Sequence, residues 1–292
     1  MEKQFKVLVT GATGKSGGVA IQEMLKMGVS IRALVHSVDE RSEKLVAQGV
    51  EVMVGDLLSF DEITAAMKDI DSAYFCFPVL TPGVLQATAY FAQAARDAGV
   101  KAIVNMSQIS ARRDAKSNAA QDHWVGERIL DMTGIATTHL RPTFFDEWFL
   151  YIREDIQQKD TVVLPFGNGR WAPIDSEDLG RVVAAILTHP KEYAGKTFKL
   201  FGPEEYNVFE MSEILSEVLG RKINYEPVSI ERFTELDAEK GAHSHFIQHV
   251  TYVAQDCKDG LFAGTNDAVE TITGRKPSTL AAFFTKKKTL FE

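Results

Sequence analysis

Cysteine is nearly missing: Cys76 and Cys257 are the only two among 292 residues. Two thiols so far apart cannot build a disulfide scaffold and match no zinc-ligand spacing, so they read as inert, half-buried thiols of a reducing compartment. An excess of positive charge is missing too, because 32 Lys and Arg stand against 40 Asp and Glu, a net charge of −8. That balance works against binding a phosphate backbone or an anionic membrane, so direct nucleic-acid contact is not expected. No apolar run approaches the roughly 20 residues of a membrane span, the longest, such as 182–187, being core-sized. The stretch MEKQFKVLVT reaches a glycine loop after only a short apolar segment. It has no signal-peptide h-region, and a cytoplasmic protein is expected. There is also no Pro/Ser/Gly-rich linker, no G-x-S-x-G nucleophile elbow and no internal repeat beyond a strand-helix rhythm.

With 45% hydrophobic and 25% charged residues, the chain can bury a large core without staples. The rhythm predicts strands at 6–10, 31–35, 51–54, 73–77, 102–106 and 136–140. Helices are predicted at 19–27, 39–48, 60–68, 84–98 and 122–133, with Gly28, Gly49 and Gly99 at helix ends. Strands separated by single helices require parallel pairing, so the fold class is α/β, a doubly wound parallel (Rossmann) sheet of six strands. Residues 1–150 are expected to form the dinucleotide-binding unit, with part of 170–190 returning to it. A smaller α/β substrate-binding region is expected over 151–292.

The run Thr10-Gly11-Ala12-Thr13-Gly14-Lys15-Ser16-Gly17-Gly18 follows the first strand and opens a helix. Glycines at 11, 14 and 17 permit a sharp turn and a close backbone approach to a pyrophosphate at the helix N-terminus. Gly14-Lys15-Ser16 also matches the end of a P-loop, but the glycine required five residues earlier is Val9. Thr10, Gly11, Thr13, Gly14, Lys15, Ser16 and Gly17 are therefore predicted to hold a dinucleotide. The second strand ends in His36 and Ser37 where an NAD-specific carboxylate would stand. With Lys15 and Arg41 nearby this favours NADP, and NAD stays open because Asp39 and Glu40 are close.

Together with Val54-Gly55-Asp56-Leu57, Val104-Asn105-Met106-Ser107, His123-Trp124-Val125-Gly126-Glu127, Leu140-Arg141-Pro142 and Asp259-Gly260-Leu261-Phe262-Ala263-Gly264-Thr265-Asn266-Asp267, this loop gives the chain its resemblance. It resembles, nearly end to end, the NmrA-like family of atypical short-chain dehydrogenase/reductases. The resemblance implies that Asp56 and Leu57 meet the adenine, Phe77 and Pro78 line the dinucleotide near its ribose, and Ser107 and Pro142 approach the nicotinamide. Asp56 as a helix N-cap and Phe77-Pro78 as a strand stop are the competing readings.

The superfamily's Tyr-x-x-x-Lys pair is absent. His123 and Glu127 occupy the matching helix, while Tyr90 and Tyr151 are followed four residues on by Ala94 and Asp155. Glu127 one turn away favours an imidazolium at His123, making it a candidate proton donor. Without a strong acid-base couple, alcohol oxidation and epimerisation are disfavoured, and hydride transfer to a low-lying acceptor is less demanding. Phe144, Phe145 and Trp148 could form an aromatic slot, with His249 bordering it, although large rings are core material first. The run His243, His245, His249 lacks acidic or thiol partners, so no metal is predicted. Lys286-Lys287-Lys288 reads as a solvated face. The expected activity is NADPH-preferring reduction of a quinone-like, azo or similar small aromatic acceptor. The alternative is a non-catalytic dinucleotide-binding redox sensor acting through a regulatory protein partner, and a homo-oligomer is compatible with either.

Overall fold

The computed structural model describes residues 5–292; the first four, part of the N-terminal stretch read above, lie outside it. Val7, Leu8 and Val9 are all fully buried, as a strand covered on both faces must be. The main sheet contains β1 (Lys6–Val9), β2 (Ser30–Val35), β3 (Glu51–Val54), β4 (Ser72–Phe75), β5 (Ala102–Met106) and β6 (Ala136–Pro142). After β7 (Thr161–Leu164), β8 (Thr197–Leu200) completes it, in the order β3-β2-β1-β4-β5-β6-β8. Every pairing is parallel. The order reverses between β1 and β4, and the carboxyl ends flanking that switch are where a ligand cleft opens.

Alternation along the strands sorts the core into two layers. Val7, Val9, Ala33, Val35, Tyr74 and Val104 face helices Lys15–Lys26 and Ser176–Thr188. Leu8, Leu34, Ala73, Phe75 and Ile103 face helices Phe60–Ala66 and Val84–Asp97. A third, aromatic-rich core lies under the remaining chain, around the parallel pair β7 and β9 (Asn224–Pro227) and helices Val208–Leu219 and Ser244–Lys258.

The sheet has seven strands where six are predicted. The extra one, Thr-Phe-Lys-Leu at 197–200, is half exposed and carries no apolar run, so only its pairing with β6 identifies it. Residues 197–200 thus also pair with the main sheet. The first helix starts at Lys15, four residues before the expected 19, because extended Gly14 (φ −79°, ψ 175°) caps it. The helix expected from 122 starts at Asn118, where Ser117 accepts the Ala120 N–H at 3.2 Å.

Candidate active site

Gly11 holds φ +59°, a left-handed value that favours glycine, and its carbonyl accepts the Gly14 N–H at 2.9 Å. A Cβ at Gly17 would overlap that same carbonyl oxygen and lie 2.9 Å from the Gly11 carbonyl carbon. At Gly180 a Cβ would come within 2.5 Å of Val19 Cβ and 2.7 Å of the Ser16 carbonyl, so helices 15–26 and 176–188 also meet closely. Gly14 provides no side-chain cap, and the first turn has no acid. The N–H groups of Lys15, Ser16 and Gly17 belong to the first turn of this helix, where donors lack an intrahelical partner, so this end can serve as an anion cradle.

The other predicted loop residues are supports. The buried Thr10 hydroxyl lies 3.1 Å from the Tyr74 and Cys76 carbonyls and accepts the Cys76 N–H at 2.8 Å, tying β1 to the end of β4. The Ser16 hydroxyl meets the Tyr74 phenol at 3.2 Å. Thr13 lends its carbonyl to Arg41 Nη1 at 3.5 Å.

His36 and Ser37 are exposed at the end of β2. Asp39, the acid that could oppose a 2′-phosphate there, is already engaged. It caps helix Glu40–Ala47 through the Arg41 and Ser42 N–H groups and grips the Arg41 guanidinium at 2.5 Å. The Ser42 N–H and the Arg41 side chain hold its carboxyl below the usual range. Arg41 is thereby anchored between the second strand's end and the glycine loop. Asp56 accepts the Leu58 N–H at 2.8 Å, a local turn, and the N-cap position belongs to Ser59. Leu57 is half-buried, Phe77 turns its ring into the Leu58 and Gly83 packing, and Pro78 is exposed.

Two carboxylates on one helix face brace the far side of the cleft. Glu127 and Asp131 stand one turn apart on helix Asn118–Asp131. Glu127 accepts Arg141 Nε at 2.8 Å and a second bond from Arg141 Nη2, and takes the Ser107 hydroxyl at 2.6 Å. Asp131 reaches His139 Nε2 at 3.0 Å, and His139 Nδ1 meets Asn105 Nδ2 at 3.0 Å. Residues 139 and 141 share one face of β6, and 105 and 107 one face from β5 onward, so helix, β6 and β5 are cross-linked twice in parallel. Where the superfamily places the lysine that tunes its proton-shuttling tyrosine, this chain places Glu127, fully buried and ion-paired to Arg141. Arg141, His139, Asp131 and Asn105 are absent from the sequence-derived candidates.

This overturns the expected imidazolium at His123. Its ring is buried, and burial pushes its pKa down to about 4 against the opposing charge of Glu127. That charge is itself held by Arg141. His249, down to about 3 through burial and the neighbouring His123 and His245, meets the Ser117 hydroxyl at 2.8 Å. The fold thus brings His123 and His249 together as two neutral rings.

The aromatic slot is also corrected. Phe144 is stacked on Phe262 at 4.2 Å and packed edge-on by Trp171 and Trp148 at 5.5 and 5.6 Å, so it is core. Phe145 joins the other layer, beside the sheet. Trp148 is half-buried at the rim against Phe166 and Tyr151. Two buried polar atoms without a protein partner, Gln108 Nε2 and Thr143 Oγ1, directly follow Ser107 and the buried Pro142. With the anion cradle, they fit a dinucleotide laid across the carboxyl ends of β1, β4, β5 and β6.

The NmrA-like family model matches residues 3–289. The chain is 27% identical over 279 residues to an NAD(P)H azoreductase of Xenophilus azovorans, covering 95% of this chain and 96% of that one. It is 28% identical to the Citrobacter sp. triphenylmethane reductase complexed with NADP(H), with a TM-score of 0.83 over 96% of this chain and 99% of that one. An NADPH-dependent quinone oxidoreductase from Escherichia coli shares the fold at 21% identity, TM-score 0.86, over 98% and 100% of the two chains. With the glycine loop and the seven-stranded sheet in place, the match across nearly the whole sequence makes this chain a member of the NmrA-like family.

Proposed function

We propose that the protein is an NADPH-preferring reductase that passes hydride to a quinone-like, azo or similar small aromatic acceptor. The observation that carries the reading is the anion cradle at Gly11–Gly17 facing a cleft whose proton-shuttling couple has been replaced by the Glu127–Arg141 pair. When a dinucleotide is bound by its pyrophosphate in the cradle, its dihydronicotinamide would supply a hydride, that is, two electrons. The residues of the chain bind and orient it. The loop N–H groups hold its pyrophosphate, Arg41 and His36 take the 2′-phosphate, and Gln108 and Thr143 satisfy the nicotinamide end. The named relatives, reductases that use NAD(P)H or NADP(H), support this reading. Among the described residues no helix is long and apolar enough to cross a membrane.

Purified protein is expected to oxidise NADPH faster than NADH when offered quinones and azo dyes, followed by loss of nicotinamide absorbance. Tight dinucleotide binding, read from quenching of Trp124, Trp148 or Trp171, with no turnover on any acceptor, would replace this reading with the redox sensor. Arg41→Ala removes a charged partner of the phosphate, worth about 1.5–3 kcal/mol. NADPH affinity should then fall roughly 10- to 100-fold while NADH affinity stays within about twofold. Equal losses for both cofactors would remove Arg41 from the phosphate site.

A further inference from the structure

Hydride reduction of such an acceptor leaves it one proton short, and His123, the expected donor, is held neutral. A different acid borders the glycine loop. Between the first turn of helix 15–26 and the start of helix 176–188 lies a pocket of about 140 Å³, room for several waters. Lys15, Glu147, Ser176 and Lys287 all face it. Lys15 thus links the pocket to the dinucleotide loop, and its ammonium also lies 5.7 Å from the Tyr151 ring centre.

Glu147 is only 5% exposed. Its Oε1 takes the Ser176 hydroxyl, while Oε2 has no partner. Beside it Asp146 is fully buried with neither oxygen bonded, and Asp175 is a third carboxyl of the cluster. Crowding acids out of water, with oxygens unsatisfied, favours the neutral form. Burial raises the Glu147 pKa above the usual range; the Ser176 hydrogen bond and the Lys15 charge oppose it, and Asp175 adds to the rise. The remaining charges around the pocket are Glu177, Lys287 and Lys286, the last paired to Glu177. The terminal lysines expected as a plain solvated face are therefore partly built into this wall.

We propose that Glu147 is the proton store of the reaction, its carboxyl supplying, through water in this pocket, the proton that completes reduction of the acceptor. This rests on the reductase reading above. The O–H bond at Oε2 breaks, and an O–H or N–H bond forms on the reduced acceptor, whose two electrons arrived with the hydride. The carboxylate left behind is held by the Ser176 hydroxyl and the Lys15 charge, and it regains a proton from solvent through the pocket. One acceptor, one dihydronicotinamide and one solvent proton are consumed per turnover.

The test is Glu147→Gln, which keeps shape and the Ser176 contact, alongside Glu147→Asp, which keeps a carboxyl. Infrared titration of the cofactor-free protein should show protonated-carboxyl absorbance persisting to higher pH than exposed carboxylates, and E147Q should lose one part of it while the share of Asp146 and Asp175 remains. With a quinone and NADPH, wild-type turnover should fall as pH rises through the raised Glu147 pKa, because the donor is lost on ionisation. E147Q should be slower by about 100-fold and lack that limb, while E147D should retain it and carry the test if E147Q does not fold. A carboxyl signal unchanged in E147Q, or an identical pH limb, overturns the proposal while leaving the reductase standing. A wild type that fails to oxidise NADPH with every acceptor offered removes both.

Discussion

Arg141→Ala should destabilise the protein by about 3–5 kcal/mol, the cost of leaving one member of a buried ion pair without its partner. Glu127 has no solvent exposure and relies on Arg141 for two hydrogen bonds. Deleting the guanidinium leaves that carboxylate the Ser107 hydroxyl at 2.6 Å and only a longer contact from the half-exposed Arg128 at 3.4 Å. At roughly 2–4 °C per kcal/mol for a domain of this order of size, the melting transition should drop by on the order of 10 °C. Pairing R141A with Glu127→Gln should recover part of the loss, because the buried charge goes with its partner. A melting point within a degree of wild type for R141A would show that the bond geometry does not carry stability. Since the same carboxylate anchors Ser107 at the end of β5, cofactor affinity should weaken in R141A as well.

That brace shows which parts of the site a sequence can disclose. The glycine loop is contiguous: Gly14 and Gly17 are required by their close approach to the Gly11 carbonyl, and Gly11 by its own left-handed φ. Local pattern therefore suffices to find it. The brace is assembled from three segments whose spacings, 127 and 131, 139 and 141, 105 and 107, become meaningful only when helix, β6 and β5 are laid side by side. The helix-face pairing of His123 with Glu127 is visible in the sequence. Its electrostatic outcome is not, because it depends on burial and on the distant Arg141.

The strand-helix rhythm discloses β1 to β6 for a similar reason: β1 to β5 are short, largely apolar runs with single helices between them, and the more polar β6 follows the next helix in the same alternation. β8 and β9 carry exposed, polar residues and owe their existence to long-range pairing. Phe144 and Phe145 were expected to share a slot. Adjacent residues in extended chain point to opposite sides, so one ring enters the aromatic core and the other packs by the sheet.

Gly17→Ala should abolish tight dinucleotide binding, whereas Gly18→Ala next to it should not. At Gly17 the added methyl meets the backbone of Gly11 and Ala12, overlapping the Gly11 carbonyl oxygen and lying 3.3 Å from Ala12 Cα. Backbone cannot rotate away, so the first turn of helix 15–26 must shift, at about 1–3 kcal/mol of overpacking. Its N–H groups then leave the positions from which they hold the pyrophosphate. Losing two charge-assisted hydrogen bonds at about 1.5–3 kcal/mol each costs at least ~100-fold in affinity. At Gly18 the nearest atom to a new Cβ is the Ala12 carbonyl oxygen at 3.6 Å, an ordinary contact. Alanine there, inside a helix, should stabilise by about 0.4–1 kcal/mol by restricting the unfolded chain, with NADPH affinity within about threefold of wild type. Titration calorimetry of both variants separates loop geometry from general helix effects. If G17A binds as tightly as G18A, the close approach of Gly17 to Gly11 is not what forms the cradle.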